Sequence, residues 1–440
     1  MHAAHAERRR KLMESMGQAV FLQFSAPVTC RNNDVENEYR QDSDFFYLTG
    51  LDEPDSVLVL TANAEKPFVL FVRPRDDERE TWDGERVGVD GAVTRYGADV
   101  AYPIDELSTR LVELLKGQNR LHFAIGRNQK NDALVLGVLG QLRERVRRGE
   151  VGPTEIVEPS TLLHEMRLIK SETEIDAVRR AIKITGNGYR ALWGQTRPGM
   201  AEYELEATLR SEFRRQGSER CAFPPIVASG RNGRILHHRR NDRVIGDGEL
   251  IVVDSGAEYD YFAADITRTF PSNGKFTPIQ RRAYEVVLRA QEIAISTAVL
   301  GATIDDVHLA AVREICAGLI ELAILTGSVE DALESGSYKK YYMHRTSHWL
   351  GMDVHDVGVY HQGGNPRPLV AAMVLTVEPG LYFAAHDAAV PVGLKDTGIR
   401  IEDDIVVTDR GPVVLSAGIA KTIDEIEHAM ALGRSHSGAK

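Results

Sequence analysis

Short apolar runs alternate with segments of helical spacing in the first third of the chain. Runs rich in β-branched and aromatic residues, which predict buried strands, lie at residues 19–24, 56–60 and 68–72. Helical patterns lie at residues 6–16, 104–115 and 132–146. Polar loops are predicted at residues 29–42 and 73–86. This alternation predicts a small α/β domain, and we find no catalytic constellation within it.

Helical spacing returns after a boundary near Lys170. Three predicted helices begin with the capping-box spacing, in which an acid or amide follows the cap residue by three positions. The pairs are Ser171 with Glu174, Thr277 with Gln280, and Thr303 with Asp306. Another helix is predicted after Gly199 from the spacing of Tyr203, Leu205, Leu209 and Phe213.

Strands are predicted at residues 226–253 and again from about residue 374. Because 440 residues are too many for one ordinary core, we expect two domains.

Two carboxylates stand at one predicted hairpin. An apolar run at residues 250–253 ends in Asp254, and a second β-prone run carries Asp265 eleven positions later. A lone Asp at a strand end is usually a turn residue. Three further acid or imidazole side chains stand in apolar settings downstream, at His348, Glu378 and Glu402.

Each downstream carboxylate has a simple structural explanation when taken singly. Glu378 precedes Pro379, which suits a turn, and Glu402 suits an ion pair with Arg400. Taken together, they suit metal ions, because hard cations prefer carboxylate oxygens and imidazoles shift the preference toward Mn, Co, Fe or Zn. Two ions about 3.5–4 Å apart need carboxylates that bridge them. The sequence therefore predicts a centre of two metal ions.

Histidines provide a second signal. Six of the fourteen fall in two short segments, at His237, His238, His344, His348, His355 and His361. A single histidine is more often structural than functional, but four within eighteen residues indicate chemistry. Histidine is also the usual general acid or base near neutral pH.

Six motifs now carry a family resemblance. They are Asp254-Ser-Gly-Ala-Glu-Tyr, Asp265-Ile-Thr-Arg-Thr-Phe, Ser-His348-Trp-Leu-Gly, Val-His355-Asp-Val-Gly, Val-Glu378-Pro-Gly-Leu-Tyr and Ile-Arg-Ile-Glu402-Asp-Asp. They resemble the motifs of the aminopeptidase P (Xaa-Pro aminopeptidase) family, which are proline-specific metallopeptidases. Nearly the whole chain takes part, since further matches lie at Arg40-Gln-Asp-Ser-Asp-Phe, Phe46-Tyr-Leu-Thr-Gly and Met166-Arg-Leu-Ile-Lys-Ser-Glu-Thr-Glu-Ile.

The resemblance implies a fold and a metal centre. The expected fold is an α/β N-terminal domain at residues 1–168 and an α+β catalytic domain of the pita-bread fold at residues 169–440. The family implies two Mn²⁺ ions, with Co²⁺, Zn²⁺ or Fe²⁺ as substitutes. Asp254 would chelate one ion, Asp265 and Glu402 would bridge both, and His348 and Glu378 would complete the second site.

The resemblance also implies catalytic roles. A water or hydroxide between the ions would attack the Xaa-Pro bond, and Glu378 would accept and shuttle its proton. His355 would bind the scissile carbonyl oxygen, and His237 would assist proton transfer or orientation. Substrate binding would involve His344, Tyr382 and Arg400, of which Arg400 would also fix a carboxylate.

The implied reaction is removal of the N-terminal residue from peptides whose second residue is proline. A prolidase, which shares the ligands but cleaves only dipeptides, is the alternative. The domain before Lys170 disfavours a methionine aminopeptidase. Relatives that became binding proteins or metal-free hydrolases have lost ligands, whereas all five candidates are present here.

Several residues differ from the family pattern or point to assembly. His238-Arg239-Arg240 follows His237, Phe223-Pro224-Pro225 replaces a tyrosine-containing stretch, and Arg345 follows His344 where glycine is usual. The finer specificity depends on such positions. Asp34 and Trp82 match residues that approach a neighbouring subunit's active site in relatives. The resemblance therefore implies a homodimer or homotetramer.

Composition narrows the function classes. The content of 43% hydrophobic and 27% charged residues is that of a soluble globular protein. A net charge of −11 argues against nucleic acid as a partner. No apolar run is long enough for a membrane span, and no apolar segment of a secretory signal follows the basic start. Three cysteines far apart in sequence fit a reducing cytoplasm.

Overall fold

The computed structural model describes residues 2–62 and 64–437 and divides into two compact units, Met1–Met166 and Arg167–Lys440. In the described residues, no helix combines the length and the apolar character that crossing a bilayer requires.

The N-terminal unit is built on a mixed sheet. Its helices are α1 His2–Met16, α2 Ser43–Thr49, α3 Asp77–Asp83, α4 Gly88–Thr94, α5 Leu107–Leu115, α6 Gln129–Glu144 and α7 Ser160–Leu168, the last of which ends just beyond the division. Its strands are β1 Val20–Phe24, β2 Cys30–Asn32, β3 Val35–Glu36, β4 Val57–Thr61, β5 Phe68–Val72, β6 Val100–Pro103, β7 Arg120–His122 and β8 Glu155–Val157.

Six of these strands form one sheet in the order β6-β5-β4-β1-β7-β8. Strand β1 runs antiparallel to β4, with Phe21 opposite Leu60, and parallel to β7, with Val20 opposite Leu121. The buried strands pack with α5 and α6 into one apolar core. The predicted α/β class of this part is therefore confirmed.

Two predicted loops contain regular structure. Residues 29–42 include the β2–β3 hairpin, and residues 73–86 include α3, whose cap Asp76 accepts a hydrogen bond from the Arg79 amide at 3.1 Å. Neither element buries a residue. The prediction was wrong because an element with no buried face leaves no apolar periodicity in the sequence.

The C-terminal unit holds long helices against several small antiparallel sheets. Its helices are α8 Glu172–Gln195, α9 Glu202–Arg215, α10 Pro278–Thr297, α11 Ile304–Glu321, α12 Val329–Ser335 and α13 Ile423–Ser437. Its strands are β9 Arg220–Cys221, β10 Ile226–Ser229, β11 Leu250–Ser255, β12 Ala257–Tyr259, β13 Phe262–Ala263, β14 Ile266–Pro271, β15 His361–Gln362, β16 Asn365–Pro366, β17 Val374–Val377, β18 Gly380–Phe383, β19 Thr397–Arg400, β20 Asp403–Thr408 and β21 Gly411–Val414. This is the predicted α+β arrangement.

The three predicted capping boxes are confirmed at the starts of α8, α10 and α11. In each, the side chain at the third helical position accepts a hydrogen bond from the cap amide, as Gln280 does from Thr277 at 2.9 Å. These local contacts satisfy helix N-terminal amides that would otherwise lack partners.

The apolar face predicted for α9 is partly wrong. Leu205, Leu209 and Phe213 are buried, but Tyr203 is 58% exposed. Glu202 is fully buried at the neighbouring position, where it accepts hydrogen bonds from Ser229 and other groups. Glu202 is buried in place of Tyr203 because several hydrogen-bond donors satisfy its carboxylate. The periodicity of apolar residues does not predict a buried acid of this kind.

Only the two ends of the predicted strand region at residues 226–253 form strands. Strands β10 and β11 pair antiparallel, but a 3₁₀ turn at Gly230–Arg234 and a loop separate them. Strand β11 in turn pairs with β14, with Asp254 opposite Thr267. The predicted two-aspartate hairpin is thus confirmed, with the smaller β12–β13 hairpin inserted at its tip.

Candidate metal centre and substrate cavity

The carboxylates predicted as metal ligands stand at the ends of paired strands. Asp254 lies in β11 and Asp265 directly precedes β14. Glu378 lies between β17 and β18, and Glu402 between β19 and β20. The Tyr189 hydroxyl contacts the carbonyl oxygens of Val253 and Ile266 at 2.9 and 2.6 Å, which ties the two aspartate-bearing strands together.

Three of these side chains converge closely enough to hold an ion. Asp265, His348 and Glu402 each offer a ligand atom, and the three atoms lie within 4.8 Å of one another. His348 Nε2 is also 3.7 Å from Glu378 Oε1. His348 Nδ1 lies 3.0 Å from the Trp349 carbonyl oxygen. A carbonyl oxygen only accepts, so Nδ1 is the donor of this contact, and Nε2 is the ring atom that faces the carboxylates.

Buried negative charge in this cluster calls for a cation. Burial, and then the charge of Asp254, raises the pKa of Asp265 well above its usual range. Burial and the charge of Asp265 raise the pKa of Glu402 in the same way, and burial raises the pKa of Glu378 to about 7. Oδ1 of Asp254 and Oδ1 of Asp265 are buried without a hydrogen-bond partner among the described residues. Carboxylate oxygens, an imidazole nitrogen beside them and mutual repulsion together fit a metal site.

Arg400 supplies one fixed positive charge beside the cluster. Its guanidinium donates to Asp254 Oδ2 at 2.6 Å, to the Tyr382 hydroxyl at 3.1 Å and to Thr267 Oγ1 at 3.1 Å. Thr267 in turn donates to Glu402 Oε2 at 2.7 Å. The ion pair of Arg400 is therefore with Asp254, and the simple pairing with Glu402 is wrong because β19 packs against β11, although the two strands belong to different sheets.

A cavity of about 740 Å³ opens onto this cluster. Seven of the predicted site residues line it, namely His237, Asp254, His344, His348, His355, Glu378 and Arg400. The other three are buried and do not line it, namely Asp265, Glu402 and Tyr382. The structure thus brings all ten into one region, where their four imidazoles line the cavity together with Asp254, Glu378 and Arg400.

His344, which lines the cavity, forms a hydrogen-bonded pair with buried Tyr382. Burial, and then the charge of Arg400, lowers the pKa of His344 to about 3, so its ring is neutral at neutral pH. His344 Nδ1 lies 2.8 Å from the Arg345 carbonyl oxygen, and Nε2 lies 2.9 Å from the Tyr382 hydroxyl. The ring therefore donates through Nδ1 and accepts from Tyr382 through Nε2. Tyr382 is oriented in turn by Arg400.

His355 faces the metal cluster from another loop. Its ring is 4.4 Å from the His348 ring and nearly perpendicular to it. Burial, and then the charges of His348 and His237, lowers the pKa of His355, which favours the neutral ring. A neutral imidazole can donate one hydrogen bond without adding charge.

Sequence reasoning missed the residues that support these side chains. Asp356, next to His355, accepts from Arg167 Nη2 at 2.6 Å and from Lys170 Nζ at 2.8 Å, and all three are buried. The only sequence signal was their presence in the quoted motifs. Next to His237, the Nε2 atom of His238 lies 3.0 Å from a carboxylate oxygen of buried Glu202. Glu202 therefore contacts one of the residues that differ from the family pattern.

Comparisons with known proteins place this site in a family. The sequence profile of metallopeptidase family M24 matches residues 176–409, and that of the aminopeptidase P N-terminal domain matches residues 5–123. The chain is 43% identical to Xaa-Pro aminopeptidase of Escherichia coli over 97% of both chains. It is 34% identical to human Xaa-Pro aminopeptidase 3, over 96% of this chain and 85% of the relative.

Comparison with solved structures indicates the same family. An aminopeptidase from Pseudomonas aeruginosa matches with a TM-score of 0.97 and 45% identity, over 99% of each chain. Zinc-substituted E. coli aminopeptidase P in complex with product matches with a TM-score of 0.95 and 41% identity, over the same shares. The chain therefore belongs to metallopeptidase family M24, with an aminopeptidase P N-terminal domain and the pita-bread catalytic fold.

Proposed function

We propose that this chain is a metal-dependent aminopeptidase that removes the N-terminal residue from peptides with proline in second position. The observation that carries the proposal is the cluster of four carboxylates and His348, part of which lines a cavity that four further histidines also line. The relatives named above are Xaa-Pro aminopeptidases, which favours this activity over a prolidase.

We propose two divalent ions as the cofactor, Mn²⁺ by preference, with Co²⁺, Zn²⁺ or Fe²⁺ as substitutes. Asp254, Asp265, His348, Glu378 and Glu402 would hold them, with Asp265 and Glu402 as the bridging carboxylates. When bound, such ions polarise a carbonyl and lower the pKa of water so that it becomes a nucleophile near neutral pH.

The side chains provide the remaining chemistry. Glu378 lines the cavity and is suited to take a proton from the attacking water and return it to the proline nitrogen. His355 would hold the scissile carbonyl oxygen, and His237 would orient the substrate or assist proton transfer. An Xaa-Pro bond has no N–H, so the pocket must bind the proline ring without a hydrogen bond from the proline nitrogen. The neutral His344–Tyr382 pair, with Arg400 behind it, suits this requirement.

Metal should stabilise the fold as well as activate it. Chelator-treated protein is expected to unfold at a lower temperature than protein given Mn²⁺, because the ion relieves repulsion that the folded state alone must bear. Binding only the folded state stabilises it by about 2.7 kcal/mol when free ion is at a hundred times its dissociation constant. Thermal unfolding with and without Mn²⁺ measures this, and unchanged unfolding temperatures would contradict the metal site.

His237→Ala should reduce turnover without loss of metal. We expect turnover to fall by on the order of a hundredfold, which is the low end of what a positioned acid or base contributes. Metal content, measured by elemental analysis, should stay at the wild-type value. A variant that loses metal would show that His237 is a ligand.

A product assay tests the activity itself. Chelated protein is restored with Mn²⁺ and offered Ala-Pro-Ala, Ala-Pro and Ala-Ala-Ala in parallel. Free alanine and Pro-Ala from the first peptide, with Ala-Ala-Ala intact, would support the proposal. Cleavage of Ala-Pro alone would identify a prolidase, and no cleavage of any peptide would refute a peptidase.

We further propose a cytoplasmic homodimer or homotetramer, with domains at residues 1–168 and 169–440. Trp82 supports an assembly, because its side chain is 83% exposed on α3, and Asp34 lies exposed in the β2–β3 turn. Three free cysteines support a reducing compartment. Light scattering of wild type and Trp82→Ala measures the assembly, and a monomeric wild type would refute it.

A further inference from the structure

Two opposite charges line the cavity outside the metal cluster. The Arg345 guanidinium donates to the Asp305 carboxylate, and both side chains line the cavity. Their side chains are 58% and 45% exposed, so both groups meet solvent and any peptide that enters. Arg345 directly follows His344, whose ring is hydrogen-bonded to the Arg345 carbonyl oxygen and to the Tyr382 hydroxyl. The pair therefore lies beside the pocket proposed for proline.

Arg345 is the arginine in the cavity that can change its partner. Of the two arginines that line the cavity, Arg400 is buried and held by Asp254 and Tyr382. Arg345 has an exposed ion pair, and such pairs are weak because solvent screens both charges. Breaking it to meet a substrate anion therefore costs little.

Asp305 tolerates the loss of that partner. It lies in the first turn of α11, an eighteen-residue helix capped by Thr303. The partial positive charge of a helix N-terminus stabilises a carboxylate in this turn even when no arginine contacts it. Asp305 thus holds Arg345 at the cavity wall in the free protein and can release it when a competing carboxylate arrives.

We propose that Arg345 selects peptides that carry a carboxylate on the residue after proline. This inference rests on the proposed Xaa-Pro activity and names a substrate class for the same site. Consecutive residues lie about 3.8 Å apart along a chain, so the residue after a proline at His344 comes within reach of the long Arg345 side chain. The carboxylate can be an acidic side chain or the C-terminus of a tripeptide.

The test compares peptides that differ only in charge. Wild type and Arg345→Gln are assayed with Ala-Pro-Asp-amide and Ala-Pro-Asn-amide, which have nearly the same shape. Wild type is expected to prefer the aspartyl peptide about fivefold in kcat/KM, mainly through KM, because an exposed charge pair is worth about 1 kcal/mol. The preference should vanish in Arg345→Gln and increase in Asp305→Asn, which removes the competing anion.

Ala-Pro-Ala and its amide separate the two sources of the carboxylate. A preference for the free acid that Arg345→Gln abolishes assigns Arg345 to the C-terminus of tripeptides, and a preference confined to Asp over Asn assigns it to side chains. The matched control is Arg313→Gln, since Arg313 is 52% exposed, pairs with Glu330 at 3.2 Å and does not line the cavity. Its peptide preferences should equal those of wild type.

Three results would overturn the inference. They are equal rates on the charged and uncharged peptides, a preference that survives Arg345→Gln, or a preference for Ala-Pro-Lys-amide that Asp305→Asn abolishes. In each case the peptides are still cleaved, so the Xaa-Pro activity stands. If wild type cleaves none of them, the proposed function itself fails.

Discussion

Replacing Glu402 by glutamine is expected to lower turnover of an Xaa-Pro tripeptide by on the order of a thousandfold. An amide offers one oxygen and no negative charge, so it cannot bridge two cations as a carboxylate does. Glu402 is 1% exposed and accepts from Thr267, which leaves little freedom for another ligand to replace it. Asp265→Asn should have the same effect for the same reason.

Although Glu402→Gln should lower turnover, it should raise the stability of the metal-free protein. In metal-free protein, Glu402→Gln removes one of four crowded carboxylates, so the variant is expected to unfold at a higher temperature than chelated wild type. Mn²⁺ should then stabilise wild type but shift the variant little. Thermal unfolding with and without Mn²⁺ measures both effects, independently of activity.

Glu314→Gln is the matched control, because Glu314 pairs with Arg289 on the helices away from the cluster. It should keep wild-type turnover and the wild-type response to Mn²⁺. Near-normal turnover in Glu402→Gln or Asp265→Asn would refute the bridging assignment. A metal-free Glu402→Gln that is less stable than chelated wild type would refute the account of repulsion.

Asp356→Asn should destabilise the catalytic unit strongly. Asp356 and Lys170 side chains are each 1% exposed and that of Arg167 is 2% exposed. The substitution therefore leaves buried Lys170 facing a neutral amide and weakens the hold on Arg167, which also pairs with Asp353. Breaking a buried pair in this way costs about 3–5 kcal/mol, which lowers the unfolding temperature by on the order of 10 °C. Turnover should fall as well, since Asp356 is next to His355.

The pH dependence of this effect follows from the direction of the pKa shift. Burial opposes ionisation of Asp356, but the charges of Lys170 and Arg167 prevail and lower its pKa in the folded state. A carboxyl with a lowered folded pKa contributes stability above its unfolded pKa of about 3.9 and loses that contribution as the pH falls through the folded value. The stability difference between wild type and Asp356→Asn should therefore shrink below about pH 4.

Asp353→Asn is the control for Asp356→Asn, because Asp353 receives a 2.7 Å hydrogen bond from the same Arg167 but its side chain is 35% exposed. Its unfolding temperature should change little at any pH. Equal losses in the two variants, or a difference that does not narrow in acid, would contradict the role assigned to buried charge.

Local signals predicted much of the secondary structure. The capping boxes at Ser171, Thr277 and Thr303 depend on residues three positions apart, so the sequence alone reveals them. Apolar strand runs such as β4 and β5 are buried throughout, which gives a strong pattern. By contrast, α3 and the β2–β3 hairpin bury nothing and therefore leave no pattern.

Contacts between residues far apart in the sequence limit how much of the site can be predicted from it. The family motifs identified the side chains of the cluster, but the partner of Arg400 is Asp254, 146 positions earlier, and not the nearby Glu402. The same holds for Asp356, whose two cations lie 186 and 189 positions away. Packing between separate strands and loops creates such pairs, and neither spacing nor composition encodes them.

The most direct test of the central claim is an anomalous difference map from crystals grown with Mn²⁺. The account predicts two peaks about 3.5–4 Å apart, with Asp265 and Glu402 contacting both and Asp254, His348 and Glu378 completing the ligand set. A single peak, or peaks away from these five side chains, would contradict a two-metal centre built by this cluster.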